Sequence, residues 1–138
     1  MSMNWSLDMH KMHDKYGVTK TINEMDSETL TEFIKFRAAC IQEEVDEFTV
    51  ALKDNDPEEM VDALIDVCVF AIGTLDIMGV DANAAWEQVL SANMNKEVGT
   101  KPGRPNPLGL PDLLKPSGWT PPEHTNNHGK FTEVNYAD

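Results

Sequence analysis

A chain of 138 residues with 41% hydrophobic content can bury one modest core and is too short to argue for two domains. Its 24 acidic residues against 11 basic ones leave a net charge of −13, which repels a nucleic-acid backbone when no basic cluster is present. No apolar run approaches the ~20 residues that span a bilayer, and the opening Met1-Ser-Met-Asn-Trp-Ser6 lacks the basic and apolar segments of an export signal, so a soluble protein without membrane contact is expected.

In chain order, Trp5, Leu7, Met9, Met12 and Tyr16 have a loose helical spacing that predicts a short first helix over Asn4 to Tyr16, stopped by Gly17. A second helix is predicted to start at Asp26 or Ser27, where an N-cap residue precedes Glu28. Its apolar positions, Leu30, Ile34, Ala38, Ile41, Val45, Phe48 and Leu52, step by three or four. Asn55-Asp56-Pro57 breaks the chain, and Pro57 suits the first turn of a third helix carrying Met60, Leu64, Val67, Ala71, Leu75 and Met78. Gly79 closes it, and Asp81 can cap a fourth through Ala85, Trp86, Val89, Leu90 and Met94, with Trp86 assigned to the core.

Beyond Gly99 the pattern stops, because Lys101-Pro-Gly-Arg-Pro-Asn-Pro-Leu-Gly-Leu-Pro111 is too rich in Pro and Gly for regular structure. The expected fold class is all-α: a four-helix core over residues 1–98, followed by an irregular tail over 99–138 within the same domain. Cys40 and Cys68 sit in apolar helical surroundings without zinc-site spacing and read as buried free thiols, which implies a reducing, cytoplasmic setting.

Several carboxylates resist assignment to a solvated surface. At about 100° per residue, Glu44 and Glu47 fall on one shoulder of the second helix, beside Cys40 and Ala51. Asp66 interrupts Ala63-Leu-Ile-Asp-Val-Cys-Val-Phe70, a run apolar all round and expected to be buried, where an unpaired carboxylate costs several kcal/mol. Asp62 precedes it by four residues on the same face, Glu59 stands one turn further back, and Gly73 is expected to leave room beyond. Such clustering requires a raised pKa, a cationic side-chain partner or a bound metal, of which the metal is the most economical. Oxygen donors without His or Cys favour Mg2+ or Mn2+ over zinc, and facing helices can each supply a pair. Glu43 and Asp46 read more simply as an ordinary solvated helix face.

Glu43-Glu44-Val-Asp-Glu47 resembles the EExxE half of the MazG-like and phosphoribosyl-ATP pyrophosphohydrolase-like superfamily, whose second half is usually ExxD on the next helix. A literal ExxD occurs at Glu59-Met-Val-Asp62, but the apolar sequence after the family's aspartate is better matched by the residues after Asp66. Asp62-Ala-Leu-Ile-Asp66 is therefore read as a DxxxD variant. Three further stretches are similar to that branch: Leu7-Asp-Met-His-Lys-Met-His-Asp-Lys-Tyr16, Ala92-Asn-Met-Asn-Lys96 and Lys115-Pro-Ser-Gly-Trp-Thr-Pro-Pro122. Some members of the branch are encoded by bacteriophages, which this chain resembles.

The resemblance implies a four-helix core that forms homodimers or homotetramers, two or more Mg2+ ions held by acids of adjacent helices, and release of pyrophosphate from a nucleoside triphosphate. It casts Glu44, Glu47, Asp62 and Asp66 as metal ligands, with Glu44, Glu47, Asp66 and Lys96 carrying catalysis and Glu43 or Glu59 joining or orienting a water. Divalent cations neutralise a polyphosphate, polarise phosphorus and acidify water, so the chemistry agrees with the acids seen.

Lys96 and Asn93, one helical turn apart, are expected to contact one phosphate together. Arg37, seven residues before Glu44, can reach a phosphate oxygen or, by preference, pair with a carboxylate. His10 and His13 lack a third ligand nearby and read as ordinary helix residues. Trp5 and Trp119 are candidates for stacking on a nucleobase. Lys101, Arg104 and Lys115 give the tail positive charge, with which it is expected to fold over the anionic substrate as a lid. The substrate expected is an NTP or dNTP, with a lean toward dNTP and toward guanine. The alternatives are a phosphoribosyl-ATP pyrophosphohydrolase and a non-catalytic acidic helical binding protein.

Overall fold

The computed structural model describes residues 3–136; Met1 and Ser2 of the expected core and Ala137 and Asp138 of the expected tail lie outside it. Among the described residues, helix α1 (Trp5–Lys15) is opened by Asn4, whose side-chain oxygen accepts the N–H of Leu7 at 3.1 Å. Gly17, at φ 72°, supplies the left-handed turn into a short helix α2 (Val18–Asn23). The long helix α3 (Ser27–Asp54) is capped by Asp26, which accepts from Thr29 N–H at 2.8 Å, and it ends on Asn55 at φ 52°. Asp56 then caps α4 (Pro57–Ile77) through Glu59 N–H at 3.1 Å, with Pro57 in the first turn. Helix α5 (Ala82–Met94) comes next, then strands β1 (Glu97–Gly99) and β2 (Asp112–Leu114), and a 3-10 helix over Gly129–Glu133.

Two compact units emerge. One takes in the chain to Ala82 together with Asn126 onward; the other spans Asn83–Thr125. In the first, the two-residue turn Asn55-Asp56 sends α4 back along α3, giving the most extensive helix pair in the chain. Helix α1 packs on α4, and α2 seals one end. The core there is Ile22, Leu30, Ile77 and Met78, with Phe33, Ile34 and Val134 packed around it, each fully buried side chain worth about 1.5–3 kcal/mol. The returning tail is tied in by Lys130 N–H to Met78 O at 2.6 Å, by the Ser27 hydroxyl to Glu133 O, and by Asn135 N–H to Thr31 Oγ1 at 3.1 Å.

In the second unit, β1 and β2 pair antiparallel with Glu97 opposite Leu114, Val98 opposite Leu113 and Gly99 opposite Asp112. Asp112 also accepts Lys101 N–H at 3.1 Å and lies 3.7 Å from Arg104.

The fold is all-α in character, as the periodicity predicts, with corrections. A fifth helix, α2, is present; its six residues are too few to give a periodic signal in the sequence. The tail is not wholly irregular: it carries the 3-10 helix and strand β2, which pairs with β1 at the end of the expected core. Trp86 is 63% exposed rather than core. The run around Asp66 is not buried all round, since Leu64 and Ile65 are 49% and 46% exposed. One α3 and one α1 cannot enclose a helix apolar on every side. Gly73 leaves no empty space: a Cβ there would lie 2.9 Å from Met9 Cε and 3.4 Å from His13 Cε1, so the glycine admits α1 against α4. No single helix among the described residues is long and apolar enough to cross a membrane.

Candidate active site

Glu44 stands ten residues before the end of α3, and Asp66 nine residues after the start of α4. At 1.5 Å per residue both lie roughly 14–15 Å from the interhelical turn, so the hairpin brings them level. Buried Cys40 and Ala51 fix the face of α3 that meets α4, and buried Ala63 does the same for α4. This placement leaves Glu44 and Asp66 half-buried and Glu43, Glu47, Glu59 and Asp62 exposed.

Glu44 is the anomalous group. Its Oε2 is sealed from solvent yet has no hydrogen-bond partner, although the residue as a whole is only half-buried. Its carboxyl is pushed up to about 7, first by desolvation, then by the neighbouring Glu47 carboxyl and by the negative charges of Asp66 and Glu43. None of these acids forms an ion pair among the described residues. Next to this cluster, an acidic cleft of about 310 Å³ is lined by Glu43, Asp46, Glu47, Asp54, Asp56 and Glu59. Glu43 and Glu47 belong to both. Asp62 sits on the same face of α4 between Glu59 and Asp66, three residues from one and four from the other.

No three His, Cys, Asp or Glu side chains among the described residues converge as a finished cage. The donors nevertheless fit a hard divalent cation: all are carboxylate oxygens, one oxygen is orphaned, and no side-chain cation among the described residues pairs with them. Glu44, Glu47, Asp62 and Asp66 are the residues that could hold it. Glu43 and Asp46 are exposed, as the solvated-face reading expects, and they border the cleft together with Asp54, Asp56 and Glu59 from around the turn.

Other candidates fall elsewhere. Arg37 makes no carboxylate pair among the described residues; its guanidinium lies 5.2 Å from the Phe33 ring and 5.5 Å from the Phe70 ring. Among the described residues the expected ion pair is thus replaced by cation–π contact with two aromatic rings. Desolvation lowers the Arg37 pKa. His10 and His13 both bind Asp76, with Nδ1 to carboxylate distances of 3.1 and 2.8 Å, and His13 is 2% exposed. They serve the α1–α4 contact, and Asp76, 63 residues from His13, carried no sequence signal.

Trp5 is 53% exposed on α1. Helix α5 ends at Met94, so Lys96 lies beyond it and does not share a helical face with Asn93. Its ammonium instead stands 5.5 Å from the Trp119 ring in the second unit.

The model of one protein family, phosphoribosyl-ATP pyrophosphohydrolase, matches residues 11–93, well over half of the chain and all of the α3–α4 hairpin. The chain belongs to this family. It is accordingly a pyrophosphohydrolase, an enzyme acting on the phosphoanhydride bonds of a nucleotide. No curated protein matches the chain. Within the matched segment lie Glu44, Glu47, Asp62, Asp66, Arg37 and Asn93, while Trp5 and Lys96 lie outside it.

Proposed function

We propose that the protein hydrolyses a nucleoside triphosphate, a dNTP by preference and with a lean toward dGTP, to the monophosphate and pyrophosphate. The single observation that supports this most is the orphaned Glu44 Oε2 within an acid cluster shared by α3 and α4 that no side-chain cation among the described residues neutralises. We assign Glu44, Glu47, Asp62 and Asp66 to two or more Mg2+ ions, with Mn2+ able to substitute. Bound there, the metal supplies charge neutralisation for the polyphosphate and acidifies water.

The chain's own residues do the rest. Repulsion among Glu43, Glu44, Glu47 and Asp66 keeps the cluster poised for a cation, since ionising all of them without one is costly. The carboxylate of Glu43 or Glu59, exposed at the cleft, can orient a water or hold its proton. The rigid helix pair, stiffened by Arg37 between two rings, fixes the acids against the reacting phosphoryl group. Lys96 and Asn93 are assigned to the substrate's phosphates and Trp5 to its base.

A homodimer or homotetramer belongs to the same proposal. Phe36, Val50, Leu52, Val61, Leu64 and Ile65 on α3 and α4 are 46–65% exposed, more apolar surface than two helices leave to water. A panel of NTPs, dNTPs and phosphoribosyl-ATP with Mg2+ or Mn2+, tracking monophosphate and pyrophosphate separately, tests the function. Monophosphate and pyrophosphate from a dNTP are expected. Cleavage of phosphoribosyl-ATP alone would favour the family's namesake reaction, and orthophosphate release would exclude the proposed bond.

A further inference from the structure

The unit spanning Asn83–Thr125 holds a second cluster, of which the proposed hydrolysis uses only Lys96. The indole N–H of Trp119 donates to Ala92 O at 2.7 Å, which pins the ring against α5. Two ammonium groups stand at that ring, Lys96 Nζ 5.5 Å and Lys115 Nζ 5.0 Å from its centre. Neither forms an ion pair among the described residues, in a chain with 24 acids and 11 bases. Cation–π contact satisfies neither ammonium's three donors, and two like charges on one ring repel unless an anion joins them.

Beside this ring lies a cleft of about 380 Å³. Trp119, Pro121 and Pro122 give it an apolar wall; Gln88, Asn95 and Thr120 supply amides and a hydroxyl. Gln88 is oriented by accepting Glu123 N–H at 3.3 Å on its amide oxygen, which leaves its NH2 free to donate. An apolar wall with a few fixed polar groups is the character of a small-molecule site, and its size suits a nucleoside.

We propose that residues 83–125 form a nucleoside-phosphate recognition site, with the nucleoside in the Trp119 cleft and its phosphate across Lys96 and Lys115. The choice of a nucleotide among phosphorylated ligands rests on the pyrophosphohydrolase reading; the geometry of the site does not. It makes Trp119, rather than the Trp5 assigned above, the ring that takes the nucleoside, and adds Lys115, Gln88 and Asn95 to the groups that select the substrate.

The test is a titration of the 15N-labelled full chain with the four deoxynucleoside 5′-monophosphates in EDTA at low salt, monitoring the Trp119 indole N–H resonance, assigned with Trp119→Phe. A saturable shift of that resonance is expected for at least one of them. In the Lys96→Gln/Lys115→Gln double variant, with its other resonances in place, the Kd is expected to rise at least about tenfold. No saturable shift up to millimolar ligand overturns the proposal. So does saturation by inorganic pyrophosphate without competition from the nucleoside, which would reduce the site to a bare anion cradle. Without divalent ions no turnover takes part, so binding by an inactive enzyme would sink only the hydrolytic reading, and turnover without this shift would sink only the recognition site.

Discussion

Glu44 carries an ionisation penalty, which the proposed cation would offset. Its folded pKa of about 7 lies above the ordinary 4.5, so between those values the native state binds more protons at this group than the unfolded chain does. In metal-free protein its contribution to stability is therefore present below about pH 4.5 and is lost as pH rises through about 7. Urea unfolding in EDTA at pH 5 and pH 7.5 should show wild type losing more stability across this range than Glu44→Gln. Saturating Mg2+ should abolish the difference in slope. Equal slopes for the two proteins in EDTA would show that Glu44 is not strained. The acids themselves were legible in the sequence, since Asp66 interrupts an apolar run and Glu44 shares a shoulder with Cys40. The partners of Arg37 and His13 were not, because Phe70 and Asp76 reach them only after α4 has folded back.

At the level of elements, the four longer helices were legible from their three-and-four spacing and from Asp26, Asp56 and Pro57 at their starts. Helix α2 was not, and neither was the tail's return to the helices, which depends on backbone contacts rather than on side-chain pattern. Gly129 shows why. At φ 51° it sits against the carbonyl of Met78, and a Cβ would collide with backbone that cannot move aside. Gly129→Ala should cost about 1–3 kcal/mol of stability, measured by urea unfolding, and should expose the Ile22–Leu30–Met78 core to hydrogen exchange. Unchanged stability would mean that the 3-10 helix is not anchored there.

For the molecule as a whole, the exposed apolar residues of α3 and α4 are the surface on which the proposed second copy would pack. Leu64→Glu with Ile65→Glu places two charges on that face, distinct from the Asp66 face. Light scattering after gel filtration should give a dimer or tetramer for wild type and a monomer for the double variant; a monomeric wild type would remove the second copy. The sequence did not show this surface, because an apolar stripe reads the same whether its own chain or another covers it. The expectation that the run around Asp66 is buried would then hold only in the assembly.

Whether acids of α3 and α4 together hold a divalent cation is tested most directly by titration with Mn2+ under electron paramagnetic resonance. Wild type should bind Mn2+ saturably, and Glu44→Gln and Asp66→Asn should each weaken binding by at least about 10- to 100-fold while remaining folded. Undiminished Mn2+ binding in both variants would contradict a metal site shared by the two helices.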